Sequence, residues 1–183
     1  MKKKLAIWTV IGAFIQIYAN ELKKLVGESE YFFYKRGFET AKGTVDVYVY
    51  FFELGHKLIK ENAFLCYITP NRYLSANYGS ALRAYMVNNF KFIFIGDYSN
   101  VKVFSEASTY PVVTLISKKI NLEKKYTFSS FTFMGENNNF AWRRFESDYL
   151  NYLDKNILGF ILSSKFEISK YVIENSEPLL SAG

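Results

Sequence analysis

The apolar positions of this chain fall into short runs that are separated by polar segments. Four of these runs are rich in β-branched and aromatic side chains, which is typical of buried strands: residues 5–12, 63–69, 90–96 and 112–117. Two intervening segments carry apolar side chains at helical spacing, residues 44–62 and 77–88. The order of strand, helix, strand, helix, strand and strand predicts an α/β fold with a mostly parallel sheet.

The two predicted helices carry further signals. Alternate residues from Val45 to Phe51 are also compatible with a strand, but the length of the segment favours a helix, with Thr44 as its N-cap. In the second helix the apolar side chains share one face, and Arg83 is expected on the other.

The pattern changes after Lys119. It predicts a strand, a turn and two short amphipathic helices, over residues 126–134, 135–139, 146–155 and 164–174. This tail of about 60 residues is smaller than an ordinary autonomous domain, so we expect it to pack on the sheet or to lead into something absent. We therefore predict a domain over residues 1–119 and a mixed connector over residues 120–183.

The N-terminus allows two interpretations. Lysines at positions 2–4, an apolar run over residues 5–19 and the small Ala19 have the form of a secretory signal. However, Ile17 breaks the small-x-small cleavage pattern, and residues 5–12 end at a glycine as a buried strand does before a loop. A transmembrane span is disfavoured because the run is shorter than the roughly 20 residues that a bilayer requires.

Composition narrows the class of protein. Half of the 183 residues are hydrophobic and 35 are aromatic, whereas glycine and proline together number 13, which excludes disorder and low-complexity repeats. The chain has a single cysteine, Cys66, which excludes an intrachain disulfide and a cysteine-based metal cluster. Its single histidine, His56, disfavours a His-rich zinc site and a serine-protease triad. The net charge of +6 permits contact with nucleic acid but also suits plain solubility.

Several motifs occur in a specific order along the chain. They are residues 46–53 (DVYVYFFE), residues 64–74 (FLCYITPNRYL), residues 78–83 (YGSALR), and Val103-Phe104 followed by residues 110–116 (YPVVTLI). Together they resemble the adenine-N6 DNA methyltransferases of type IIG restriction-modification systems, over about residues 45–117. The resemblance implies a partial Rossmann-like methyltransferase sheet with flanking helices, a cytoplasmic protein, DNA as partner and S-adenosylmethionine as the family's cofactor.

The family's catalytic loop, Asn-Pro-Pro-Tyr, is expected directly after the strand that ends at Gly12. This chain has Ala13 and Phe14 there instead. In the family, the asparagine oxygen accepts a hydrogen bond from the adenine amino group, and the tyrosine stacks on the extruded base. Phe14 can stack, but Ala13 cannot accept a side-chain hydrogen bond. The resemblance therefore implies a degenerate loop with no intact catalytic residue.

The family's Gly-rich cofactor turn also has no counterpart in these 183 residues. The chain resembles the substrate-side half of the sheet, so we expect a truncated or decayed methyltransferase that neither binds S-adenosylmethionine tightly nor methylates DNA alone. The sequence leaves open whether a companion polypeptide supplies the other half. The alternatives are a non-enzymatic nucleic-acid-binding or assembly module that retains the fold, and a secreted structural protein with a cleaved signal.

The resemblance also assigns candidate site residues. Phe104 matches the aromatic that faces the target base, and a loop phenylalanine packed on the sheet is the alternative. Pro70 and Asn71 end the strand that leads into the substrate loop, where Asn71 could equally form an ordinary Asx-turn. Asp46 and Tyr48 match a motif near the cofactor, although Asp46 is better explained as a carboxylate at a helix N-terminus.

Other chemistry-bearing residues have structural explanations. We expect His56 to be a surface or hydrogen-bonded histidine and Cys66 to be a buried small hydrophobe. Residues 142–145 (WRRF) could contact a phosphate backbone, but packing of arginine over an aromatic ring in the connector explains them better.

The predicted strand over residues 5–12 has a consequence for association. Without the cofactor half, its backbone groups would form an unprotected sheet edge. We therefore predict either a homodimer through residues 5–12 or an edge that is covered by the chain after residue 120.

Overall fold

A computed structural model describes residues 9–10, 36–43, 45–101, 110–119, 125–134, 139–163 and 165–175. Within these residues a single six-stranded sheet organises the fold. In chain order, the strands are β1 (Thr9–Val10), β2 (Phe64–Pro70), β3 (Phe90–Asp97), β4 (Pro111–Lys118), β5 (Thr127–Phe133) and β6 (Phe140–Glu146).

Three α-helices accompany the sheet in the described residues: α1 (Val47–Leu58), α2 (Ser80–Asn89) and α3 (Phe166–Asn175). Short 3₁₀ turns cover Asn71–Leu74, Asn77–Gly79, Ser147–Tyr152, Asp154–Asn156 and Leu158–Leu162. None of the helices in the described part of the chain is long and apolar enough to cross a membrane.

The strands lie in the order β1-β2-β4-β3-β5-β6. The pairs β1/β2 and β3/β5 are parallel, whereas β4 runs antiparallel to both β2 and β3, and β6 runs antiparallel to β5. The α/β class is confirmed, but the expectation of a mostly parallel sheet is wrong. A parallel neighbour needs a crossover connection, usually a helix, and the sequence between β3 and β4 has no helical pattern.

The predicted strands over residues 63–69, 90–96 and 112–117 are confirmed with shifts of one residue at their ends. The first helix is shorter than predicted. It begins at Val47 with Asp46, not Thr44, in the N-cap position, and it ends at Leu58 because Ile59 is extended. Thr44 itself lies outside the described residues.

Helix α1 packs closely on β2. A Cβ at Gly55 would lie 2.7 Å from both a methyl carbon of Leu65 and the hydroxyl of Tyr67. Only a glycine permits this approach, which brings the Phe52 ring to 5.0 Å from Tyr67 and 5.4 Å from Tyr73. The core between α1 and β2 therefore contains several aromatic rings in contact.

The C-terminal segment continues the sheet. Strand β5 lies beside β3, and β6 forms the edge opposite β1. The described part of the tail therefore pairs beside β3, away from β1, and the prediction that the chain after residue 120 covers the first edge stays a prediction. The 146–155 region forms 3₁₀ turns rather than one helix, whereas the last predicted helix is present as α3. The domain boundary at residue 119 stays a prediction.

A buried carboxylate fixes α1 to the segment before it. Glu53 is fully buried and accepts hydrogen bonds from the backbone N and the hydroxyl of Thr40, at 3.0 and 2.9 Å. Its other oxygen lies 2.7 Å from the Lys57 ammonium. Burial raises the pKa of Glu53, but the hydrogen bonds from Lys57 and Thr40 outweigh it, so the net effect lowers the pKa.

We expect Glu53→Gln to lower the free energy of unfolding by about 2 kcal/mol at neutral pH, because it removes charge-assisted hydrogen bonds. A lowered folded-state pKa means that the carboxylate stabilises the fold above the ordinary value of 4.5 and loses this effect as the pH falls through the folded value. The two proteins should therefore converge in acid. Urea unfolding at neutral pH and at a pH below the folded-state pKa of Glu53 tests this, with the exposed Glu61→Gln as control. A difference in unfolding free energy between the two proteins that does not change with pH would contradict the prediction.

Candidate functional site

The carboxyl ends of three strands meet at one edge of the sheet. Strands β2, β3 and β5 run in the same direction, because β4 is antiparallel to both β2 and β3. The chain therefore leaves the sheet on the same side after each of them, and β4 enters there at Pro111. Open α/β sheets bind ligands outside this edge, so it is the candidate site.

Asn71 occupies the loop at this edge, as the sequence predicted. Its backbone N donates to the carbonyl oxygen of Tyr110 at 2.8 Å, and its side-chain Nδ2 donates to Ser99 Oγ at 3.3 Å. Ser99 is in turn fixed by Asp97, whose Oδ1 accepts from the Ser99 backbone N at 2.9 Å. The loops after β2 and β3 are thus joined at the edge. The roles of Pro70 and Asn71 toward a substrate stay predictions.

Asp46 and Tyr48 are brought together through a third residue. The Tyr78 hydroxyl donates to Asp46 Oδ2 at 2.8 Å, and the hydroxyls of Tyr48 and Tyr78 are 2.5 Å apart. Since the Tyr78 proton is used toward the carboxylate, Tyr48 donates to the Tyr78 oxygen. Asp46 holds the N-cap position of α1, but its carboxylate makes no capping bond. The chain of three groups joins α1 to the turn before α2.

The surroundings of these tyrosines keep them neutral. Burial is the main cause that raises the pKa of Tyr48, and the neighbouring Tyr78 and Asp46 add to it. Burial also raises the pKa of Tyr78 and of Tyr73. Tyr73 is fully buried, with its hydroxyl 2.6 Å from Thr114 Oγ1 in β4. All three act as hydrogen-bonding phenols rather than as phenolate bases.

Arg83 supports the same loop from beneath. Its Nη1 donates to the carbonyl oxygens of Tyr73 and Ala76 at 2.8 and 2.7 Å, and Nη2 lies 3.5 Å from the carbonyl oxygen of Lys155. The side chain is 2% exposed, and burial lowers its pKa. The expectation that Arg83 lies on the outer face of its helix is wrong. A buried arginine was missed because helical periodicity assigns charged residues to solvent.

The remaining candidates have different outcomes. Phe104, Gly12, Ala13 and Phe14 lie outside the described residues, so their roles stay predictions. His56 is hydrogen-bonded, with Nδ1 2.7 Å from the Tyr85 hydroxyl, and burial lowers its pKa.

Two structural expectations need correction. Cys66 is half-buried rather than buried, because it lies on β2 beside the short outer strand β1. Residues 142–145 belong to β6, where the Trp142 ring packs 4.6 Å from Phe131 and Arg144 donates to the Thr127 hydroxyl.

The described residues contain no group of His, Cys, Asp and Glu that could hold a metal ion.

Known proteins are similar to parts of this chain in sequence and in fold. A protein-family model described as the Eco57I restriction-modification methylase matches residues 18–104. The Escherichia coli type II restriction enzyme and methyltransferase RM.Eco57I is 28% identical over 86 residues, 47% of this chain and 9% of that protein. The Geobacillus stearothermophilus type II methyltransferase M.BstVI is 28% identical over 100 residues, 54% of this chain and 18% of that protein.

The chain is similar to restriction-modification methyltransferases over about half of its length. Its fold is similar to that of the type IIG restriction endonuclease BpuSI, with a TM-score of 0.55 at 19% identity, over 89% of this chain and 20% of that one. The family match includes Asp46, Tyr48 and Asn71 and begins after the predicted degenerate loop. The chain spans less than a fifth of either curated relative.

The hydrogen-bonded tyrosines are expected to be coupled. Because Tyr78 serves both Tyr48 and Asp46, we expect Tyr48→Phe and Tyr78→Phe to be non-additive, with a coupling of about 1 kcal/mol in the free energy of unfolding. A double-mutant cycle in urea measures it. The same cycle with the exposed Tyr171→Phe in place of Tyr48→Phe should be additive, and additivity in both cycles would show that the tyrosine pair is not coupled.

Proposed function

We propose that this chain provides the substrate-side part of an adenine-N6 DNA methyltransferase of the type IIG restriction-modification class, and that methyl transfer requires a cofactor-binding part outside these 183 residues. S-adenosylmethionine is the methyl donor of that complete enzyme, and DNA is its substrate. A companion polypeptide, or further sequence of the same protein, supplies the missing part. Residues 1–183 serve as the base-facing portion of the site.

One observation carries the proposal. The family match over residues 18–104 contains β2, β3 and Asn71, and Asn71 is bonded at the carboxyl edge to Tyr110 and Ser99. Packing of the sheet does not by itself require polar groups at the one edge where open α/β sheets bind ligands.

The chemistry of the described residues fits a substrate-side role. The tyrosines at this edge are neutral hydrogen-bonding groups because their pKa values are raised. Such groups hold the loop through their hydrogen bonds and do not abstract a proton at neutral pH. In the family, S-adenosylmethionine supplies the methyl group, while the protein orients the adenine amino nitrogen. Among the proposed site residues, Asn71 has an amide of the type that pairs with adenine edges.

The proposal predicts that the purified chain alone does not transfer a methyl group. With labelled S-adenosylmethionine and adenine-containing duplex DNA, we expect no label in adenine and no saturable cofactor binding by calorimetry. The physical reason is that neither a Gly-rich cofactor turn nor a catalytic asparagine after Gly12 is present in these residues. Labelled adenine produced by the chain alone would overturn the proposal.

A second measurement tests the positive part of the proposal. When the chain is co-expressed with the companion that carries the cofactor turn, the complex should bind S-adenosylmethionine, and Asn71→Ala should weaken its binding of a target adenine more than that of the cofactor. The alternative is a non-enzymatic nucleic-acid-binding or assembly module, which the Ala13-Phe14 sequence favours. That module would retain DNA binding and partner binding, and the complex would not methylate DNA.

A further inference from the structure

Five aromatic side chains lie on one face of strands β3, β5 and β6, and Tyr98, directly after β3, packs against them. Trp142 is paired across the strands with Phe131, and Phe140 with Phe133, at ring distances of 4.6 and 4.9 Å. We name this group the aromatic face: Phe94, Tyr98, Phe131, Phe133, Phe140 and Trp142. The outer rings remain accessible, since Trp142 is 60% and Phe140 is 38% exposed.

The aromatic face is not the side that the fold needs for its core. The opposite face of β5 and β6 carries Phe128 and Phe145, which stack at 5.2 Å, and Phe166 of α3 packs 4.6 Å from Phe145. That side therefore already has its covering helix. The burial of apolar surface explains the aromatic rings on the side that packs against α3. It does not explain a second layer of rings on the other side, which faces solvent.

Closely packed side chains support the exposed rings of the aromatic face. A Cβ at Gly96 would lie 2.1 Å from the ring of Phe131, so the ring lies directly over the backbone of β3. Phe131 is thus buried beneath its neighbours, and Tyr98 meets it edge-on at 5.6 Å while stacking on Phe133 at 5.8 Å. The exposed rings rest on a close-packed support.

The aromatic face is continuous with the candidate site. Tyr98 follows β3, and its backbone N donates to the Pro111 carbonyl oxygen at 3.0 Å. The neighbouring Tyr110 is 63% exposed, and its carbonyl oxygen accepts from the Asn71 backbone N. From β6 to β2 there are four inter-strand steps, or roughly 19 Å at about 4.8 Å each. Aromatic side chains thus extend from the sheet edge toward the substrate loop.

The charges at the two ends suit a phosphate backbone. Arg144 is exposed on β6, where its Nη2 donates to the Thr127 hydroxyl at 2.9 Å, and Arg72 is exposed directly after Asn71. Asp97, the acid at the near end, is engaged by Ser99. Flat rings flanked by guanidinium groups on an open sheet are the arrangement on which unpaired bases stack.

We propose that the aromatic face binds an unpaired segment of DNA by base stacking and leads it toward Asn71. The choice of DNA rests on the proposed function, but this binding needs neither cofactor nor methyl transfer. Stacking of bases on Trp142 and Phe140 supplies affinity without sequence preference, because every base has a π-face. Arg72 and Arg144 neutralise phosphates and make the binding depend on salt.

Fluorescence anisotropy of labelled single-stranded DNA with the full chain, at stated salt concentrations, tests this. We expect Trp142→Ala and Phe140→Ala each to weaken binding by about 5- to 100-fold. An abasic strand of equal length should bind weakly to wild type and be indifferent to both substitutions. Tyr171→Ala is the matched control, because Tyr171 is 68% exposed on α3, which packs on the opposite face.

Trp142→Leu separates stacking from general apolar contact. It keeps a large apolar side chain without a ring, so it should weaken binding of the base-containing strand nearly as much as alanine does. The proposal is overturned if the abasic strand binds as well as the normal one, if leucine restores binding, or if light scattering shows a dimer that loses exposure of Trp142 and binds no DNA. Methyl transfer by the complex with the companion is measured in a separate experiment. Failure of the base-stacking proposal can therefore be told apart from failure of the proposed function.

Discussion

The buried guanidinium of Arg83 is the interaction on which the arrangement of the site depends. It lies in α2, yet it donates to carbonyl oxygens of the turn that follows β2 and reaches the carbonyl oxygen of Lys155. Burying a charge is costly unless hydrogen bonds compensate it, and here backbone carbonyls provide them. One side chain thereby fixes a helix, the candidate substrate loop and the C-terminal turn relative to one another.

The positions of the other site groups follow from this support. With the turn after β2 fixed, Tyr73 points under α1 to Thr114, and Tyr78 reaches Asp46 at the start of α1. Gly79 must remain small, because a Cβ there would lie 2.4 Å from the Tyr73 carbonyl oxygen. Close packing on the core side therefore positions the loop. Asn71 and the neighbouring strands form its outer side.

Sequence patterns predicted the strands of the central sheet well, because apolar runs of strand length bounded by Pro70 and Gly96 have few other solutions. They did not predict the antiparallel β4, since strand direction depends on the connection rather than on the strand's own residues. The sequence also did not predict the inward position of Arg83, because its partners are backbone carbonyls and a pattern of side chains carries no information about them. The match of motifs to a family gave Asp46, Tyr48 and Asn71 as candidates, but their contacts required the structure.

The central claim is that Arg83 holds the candidate substrate loop in place, and amide hydrogen exchange measures this directly. In Arg83→Met, the amides of Ser75, Ala76 and Gly79, which are bonded within the turn, should exchange about tenfold faster or more, because a support of at least 1.4 kcal/mol is lost. Amides of β4 should stay protected, and Arg83→Lys should give an intermediate result. A folded Arg83→Met protein with unchanged exchange over residues 71–79 would contradict the account.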